Sequence, residues 1–201
     1  MAHTYLTLAA PSEGLFKEKG SKFIGLAFPV STEDEVRAIL QQIKQQYYDA
    51  RHHCYAFMLG ARQQHYRSSD GGEPAHTAGT PILGQIRSRN LTNVLVLVVR
   101  YFGGTKLGVP GLIAAYKAAA ADALDNGLVI EEEETQQLEI RFPYSAMSQV
   151  MRLQKDSGGV VASSDFQEQC YLLLTVPLGA AQTLTHELEK LAPAGVTHTT
   201  L

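Results

Sequence analysis

Three stretches of the chain combine glycine with charged or polar side chains at spacings that could do chemistry. The first is Asp49-Ala50-Arg51-His52-His53-Cys54. Along a strand, alternation puts His52 and Cys54 on one face and His53 on the other. A zinc ion would need a further ligand from His65, His76, Asp70 or Glu73. No pair has the tight spacing of a zinc motif, so no metal is expected. A Cys54 nucleophile would need a neighbouring base, which His76 could supply. The simpler reading is preferred: Cys54 and one histidine pack inward, and the other histidine closes a loop.

The second stretch is Ser69-Asp70-Gly71-Gly72-Glu73-Pro74, followed by Thr77-Ala78-Gly79-Thr80-Pro81. Small residues and two carboxylates ahead of a helix could bind a cation or orient a water. The structural alternative is a long turn with positive φ at Gly71 or Gly72 and Asp70 in local side-chain-to-backbone bonds. The third stretch is the sharpest: Arg100-Tyr101-Phe102-Gly103-Gly104-Thr105-Lys106-Leu107-Gly108-Val109-Pro110-Gly111. Backbone N–H groups where a helix starts bind anions, and glycines let a phosphate approach. It is not a P-loop, because Val109-Pro110 stands where Lys-Ser/Thr is required. Tyr101 and Phe102 could offer a stacking face to a base. The structural alternative is close strand–helix packing with those aromatics in the core.

Regular elements must hold these loops. Residues 22–30 read as a strand, and Thr32-x-x-Glu35 is a capping box that opens a helix. Val36, Ile39, Leu40, Ile43 and Tyr47 give that helix its buried stripe. Residues 53–59 read as a strand with a hairpin partner at 64–68. Thr80 and Pro81 open a helix that runs to about Arg89. Residues 94–99, unbroken in β-branched residues and Leu, read as a fully buried strand. Pro110 is expected to start a helix that turns Leu112, Ile113, Tyr116, Ala120 and Leu124 inward, ended by Gly127. After Glu131-Glu132-Glu133-Glu134, read as a linker or exposed strand entrance, the rhythm becomes βαββαβ. Its strands fall at 138–142, 160–166, 171–176 and 196–201, and its helices at 145–156 and 180–191.

The chain has 201 residues and a net charge of −3, with 45% hydrophobic and 18% charged residues. This composition excludes a disordered tail. Its longest aliphatic run, 94–99, is far too short to span a membrane. The N-terminus does not read as a signal peptide, and the two cysteines form no disulfide framework, so a cytoplasmic location without membrane contact is expected. Charge is uneven. Residues 1–130 carry thirteen Lys/Arg against ten Asp/Glu, whereas residues 131–201 carry four against ten. Within 51–106, seven cations (Arg51, Arg62, Arg67, Arg87, Arg89, Arg100 and Lys106) face only Asp70 and Glu73. Such a segment can attract a polyanion, or it can be an ordinary solvated surface.

Taken together, Val98-Val99-Arg100-Tyr101-Phe102-Gly103-Gly104-x-x-Leu107-Gly108, Arg51-His52-His53-Cys54 and Ser69-Asp70-x-Gly72-Glu73-Pro74 resemble the signatures of the IMPACT/YigZ family. The resemblance covers essentially the whole chain. It implies an α+β protein with a signature domain at 1–130 of the ribosomal protein S5 domain 2-like fold. A ferredoxin-like βαββαβ domain at 131–201, similar to an elongation factor G domain, would follow. Eukaryotic members regulate translation by competing for an activator of a stress kinase, and carry an RWD domain that this sequence does not show. Two residues depart from the family pattern. Gly71 stands where a second Asp is usual, which weakens a carboxylate-pair metal site, and Pro110 stands where a glycine is usual.

The expectation is therefore a non-catalytic RNA- or ribosome-associated protein, a regulator of translation or stress response. The expected RNA or phosphate contacts are Arg51, His52, Ser69, Asp70, Glu73, Thr77, Arg100, Gly103, Gly104, Lys106 and Gly108. All the side chains of this set are expected on one concave surface. Arg100, ending a buried strand, is expected to pair with Glu73 or Asp70. No cofactor is expected. The alternatives are a hydrolytic or phosphoryl-transfer enzyme using the 103–111 loop, and a protein-interaction module whose acidic second domain docks a partner.

Overall fold

The computed structural model describes residues 4–201, in two compact units: one spans Tyr5–Glu132 and the other contains Glu133–Leu201. The protein is mixed α+β, with antiparallel sheets and five α-helices among the described residues. No helix there is long and apolar enough to cross a membrane.

In the first unit the chain runs β1 (Thr4–Leu8), β2 (Ser12–Glu18), β3 (Ser21–Pro29), α1 (Glu33–Gln46), β4 (His52–Leu59), β5 (His65–Ser69), α2 (Gly79–Ser88), β6 (Val94–Tyr101), α3 (Gly108–Asp125) and β7 (Val129–Glu133). Five strands form one sheet in the order β2-β3-β6-β4-β5, with every neighbour antiparallel. Central β6 is covered on both faces, so both of its faces are apolar. Val94, Val96 and Val98 join Phe23, Ala56 and Met58 beneath α2 and α3. Leu95, Leu97 and Val99 pack with Leu26, Ile43 and Phe57 on the side of α1. By alternation Arg100 falls on the α3 side.

α3 lies very close to the sheet because its inner face is small: Ala115, Ala119, Ala120 and Ala123 are all fully buried. A Cβ at Gly25 of β3 would sit 2.2 Å from the Ala119 carbonyl oxygen. The expected inward stripe of α3 holds for Leu112, Tyr116, Ala120 and Leu124, but Ile113 is 38% exposed. The close approach narrows the buried face of this helix, and Ile113 lies outside it.

The expected capping box at the start of α1 is present with its return bond shifted by one residue: Thr32 Oγ1 accepts from the Glu35 N–H, and Glu35 accepts from the N–H of Ser31, the residue before the cap. Two helix starts differ from expectation. α2 begins at Gly79 and α3 at Gly108, so Pro81 and Pro110 are third residues rather than first. The cost is the same, because N–H groups in a first turn have no intrahelical acceptor. Strands β1, β2 and β7 were not expected. β1 pairs with β7 in a two-stranded sheet, and the exposed Glu131, Glu132 and Glu133 lie on β7.

The second unit runs β8 (Thr135–Pro143), a 3₁₀ turn (Tyr144–Ala146), α4 (Met147–Asp156), β9 (Val160–Phe166), β10 (Gln169–Pro177), α5 (Leu178–Glu189), a second 3₁₀ turn (Ala192–Ala194) and β11 (Thr197–Thr200). Its sheet order is β11-β8-β10-β9, antiparallel throughout. Strict alternation in β8 and β10 points Leu138, Ile140, Phe142, Leu172, Leu174 and Val176 at one core. Cys170 is buried in that core.

Candidate functional site

Arg100, next to the last residue of β6, lies on the face that α3 covers, so its guanidinium is largely withdrawn from water. It pairs instead with Glu73, Nη1 to Oε1 at 2.6 Å, with side chains only 7% and 4% exposed. This is the pairing the sequence suggested. The Tyr116 hydroxyl on α3 donates to the same Glu73 oxygen at 2.8 Å. Tyr116 also packs edge-on against Phe23, with ring centroids 5.1 Å apart. The guanidinium carbon of Arg100 lies 5.3 Å from the Phe23 ring centroid and 5.5 Å from that of Phe102. Its buried Nε meets no acceptor among the described residues.

The turn that delivers Glu73 is held by Asp70. Its Oδ1 accepts from the Ala78 and Gly79 N–H groups at 3.0 and 2.9 Å, and its Oδ2 accepts from the His76 N–H at 2.9 Å. Asp70 therefore caps α2 from nine residues upstream of Gly79, which no local capping pattern would reveal. Burial pushes the Asp70 carboxyl up, but the N–H donors of Gly79, His76 and Ala78 outweigh it and hold the group below its ordinary value. This carboxylate is committed to backbone.

His52 faces Arg100 across the β4–β6 ladder. Its Nδ1 lies 3.1 Å from the Gly71 carbonyl oxygen, so Nδ1 carries the proton and donates. Cys54, two residues on and on the same face, donates its thiol to the Asp70 carbonyl at 3.0 Å. Burial, with the Glu73 and Asp70 charges adding, pushes the Cys54 thiol up to about 12, although the Tyr116 hydroxyl and Arg100 act the other way. A thiol held neutral is a poor nucleophile. Burial also pushes the Tyr116 hydroxyl upward, reinforced by Cys54 and Glu73. His53, on the opposite face, donates from Nε2 to the Tyr47 carbonyl at 3.1 Å; burial chiefly lowers its pKa. Among the described residues no group of three or more His, Cys, Asp or Glu is placed to hold a metal ion.

A cavity of about 390 Å³ opens where the Arg100–Glu73 pair meets the start of α3. Pro74, Phe102, Leu107, Val109 and Leu112 give it apolar walls, and Glu73, Arg100 and Lys106 give it charge, with Gly108 at the helix start. α3 begins without a side-chain cap and with no acidic residue in its first turn.

Of the expected contacts, Glu73, Arg100, Lys106 and Gly108 therefore meet in one cavity. The others do not line it, so the single concave surface expected for the set is replaced by a smaller one. Arg51 is exposed elsewhere. Thr77 is buried and donates to the Pro74 carbonyl at 2.7 Å. Ser69 accepts from the Gly71 N–H at 3.3 Å. Gly103 serves packing: a Cβ there would sit 1.9 Å from the Gly20 carbonyl carbon. Gly104 takes φ of +90° beside open space. Sequence reasoning placed Tyr116 in the core without its partner, although a buried tyrosine hydroxyl in an alanine-rich helix demands one.

A second feature lies on the edge strand β5, exposed over nearly its whole length. Arg87 of α2 sits with its guanidinium carbon 4.5 Å from the Tyr66 ring centroid, and Tyr66 is 55% exposed.

A mixed α+β protein with a buried Arg–Glu pair closing the loop before its second helix is the class that this fold and site define. The family model described as the Impact N-terminal domain matches residues 19–124. The IMPACT family member YigZ of Escherichia coli is 32% identical over 89% of this chain and 88% of its own length. The family member YvyE of Bacillus subtilis is 38% identical over 66% of this chain and 61% of its own length. A solved structure described as a hypothetical protein superposes with a TM-score of 0.78 at 27% identity, covering 100% of this chain and 98% of that one. The chain belongs to the IMPACT family.

Proposed function

We propose that the first unit binds single-stranded RNA through the basic and aromatic edge formed by β5 and α2, and that the protein acts in translation in the cytoplasm. One observation carries this reading: the exposed Tyr66–Arg87 stack on an open sheet edge. A nucleic-acid base can stack on such a platform while guanidinium groups meet the phosphates. Arg62, Arg67 and Arg87 have no ion-pair partner among the described residues, whereas Arg89 is held by Asp125 and Arg100 by Glu73. The ten acids and four bases of residues 131–201 repel phosphates and confine RNA contact to the first unit. That acidic unit then remains for a protein partner.

We assign the first unit to the ribosomal protein S5 domain 2-like fold and the second to the ferredoxin-like fold. The sheet order β11-β8-β10-β9 with helices between the first and second and between the third and fourth strands supports the latter assignment. The enzyme reading loses support because both carboxylates and His52 are already engaged: Asp70 caps α2, Glu73 pairs with Arg100 and His52 holds Gly71, while exposed His76 lies 3.3 Å from the Thr80 hydroxyl.

The test is fluorescence anisotropy with a labelled single-stranded RNA across a salt series. Affinity should fall steeply with salt, and Arg67→Ala or Arg87→Ala should each reduce the log–log slope by about 0.7. Tyr66→Ala should cost about 1–3 kcal/mol of binding if a base stacks there. Binding that is absent at low salt, or indifferent to salt, refutes the reading.

A further inference from the structure

We infer that the cavity at the start of α3 is a second binding site, distinct from the RNA edge, for a small organic monoanion with a compact apolar body: an aryl-alkyl carboxylic acid. Its volume of about 390 Å³ lies in the range that takes a small metabolite rather than a polymer segment. Most of its walls are apolar, the half-exposed Phe102 among them. These walls call for a ligand body of one ring and a short chain.

The charge balance selects one negative charge. Arg100 is already neutralised by Glu73. What remains is Lys106 and the helix start, equivalent to roughly half a positive charge. A di- or triphosphate would bring excess negative charge against the Glu73 carboxylate, whereas a single carboxylate is matched. Two independent observations place acceptor-seeking donors here. Arg100, only 7% exposed, keeps a buried Nε without an acceptor, and buried donors are nearly always satisfied. The first N–H groups of α3, at Gly108 and Val109, have no intrahelical acceptor, no side-chain cap and no acid nearby in the first turn. Arg100, Gly108 and Val109 all line the same cavity. A carboxylate bound there supplies acceptor oxygens to the free N–H groups at the helix start, with the Arg100 side chain in the wall beside it.

The experiment uses the full chain and two probes of the same shape, 3-phenylpropionate and its neutral amide 3-phenylpropanamide, titrated by calorimetry and by ligand-observed NMR. The acid should bind saturably and the amide about tenfold more weakly, the loss of one charge-assisted hydrogen bond. Lys106→Ala should weaken the acid about fivefold and leave the amide unchanged. Val109→Trp, at a half-exposed position on the wall, should abolish binding of both with the melting temperature and RNA affinity intact. The inference is overturned if the acid shows no saturable binding up to its solubility limit, if acid and amide bind equally, or if Val109→Trp binds as the parent does. Competition by inorganic phosphate at equal affinity would also overturn it, since charge alone would then suffice.

Discussion

Removing Arg100 and Glu73 from water costs several kcal/mol for each ion, and only good geometry with further hydrogen bonds offsets that cost. The 2.6 Å contact supplies the geometry and the Tyr116 hydroxyl supplies a further hydrogen bond to Glu73, while the Arg100 Nε stays without an acceptor. Breaking the pair from one side leaves a buried, uncompensated guanidinium. Glu73→Gln should therefore lower the unfolding free energy by about 3–5 kcal/mol, measured by urea denaturation. The double change Arg100→Met with Glu73→Leu should recover much of that loss, because no charge is then stranded. A loss below about 1 kcal/mol for Glu73→Gln would mean that the pair behaves as a surface salt bridge.

At the scale of elements, the start of α2 depends on a residue outside it. The Asp70 carboxyl is held below its ordinary value in the folded protein, so its contribution is present above the unfolded pKa and is lost as pH falls through the folded one. Asp70→Ala should cost about 1–2 kcal/mol at neutral pH, as loss of a helix cap does. The gap between parent and variant should then shrink below about pH 4, as unfolded aspartate protonates. Denaturation curves at pH 7 and in the acid range check this; a gap independent of pH would show that the carboxylate charge does not matter. His53 has its own window. Its lowered pKa means that the folded state favours the neutral ring, so that stability is held above about pH 6.5 and falls as pH drops toward the folded value.

At the scale of the whole molecule, each unit has its own apolar core. One core system draws on residues from Leu8 to Leu124, and the other on residues from Leu138 to Val196. Chains divide where few contacts cross, and proteases cut where exposed backbone can open. A glutamate-specific protease should cleave first at Glu133 or Glu134, between β7 and β8, and both fragments should keep their folded circular dichroism. First cleavage within 36–59, across α1 and β4, would refute the division.

Much of this was legible in short-range pattern, because helices and strands bury faces at periods that a sequence displays directly. The run 94–99 announced a strand covered on both sides, and Thr32 with Glu35 announced where α1 begins. Arg100 at the end of that run made a buried carboxylate partner necessary. β1, β2 and β7 escaped notice because half-exposed strands at a sheet margin carry only weak alternation, and β1 becomes a strand by pairing with β7 at the far end of the unit. Four of the expected contact residues share a cavity, but nothing local says which four. The resemblance of motifs identified the family without assigning those residues their places. Asp70 reaches a helix start nine residues on, Gly103 lies against Gly20, and Arg87 of α2 lies over Tyr66 of β5. Residue type and spacing determine what each segment can form and which groups must find partners. Which partner they find is decided by chain topology, because the groups that meet are brought together only when the sheet and its covering helices close.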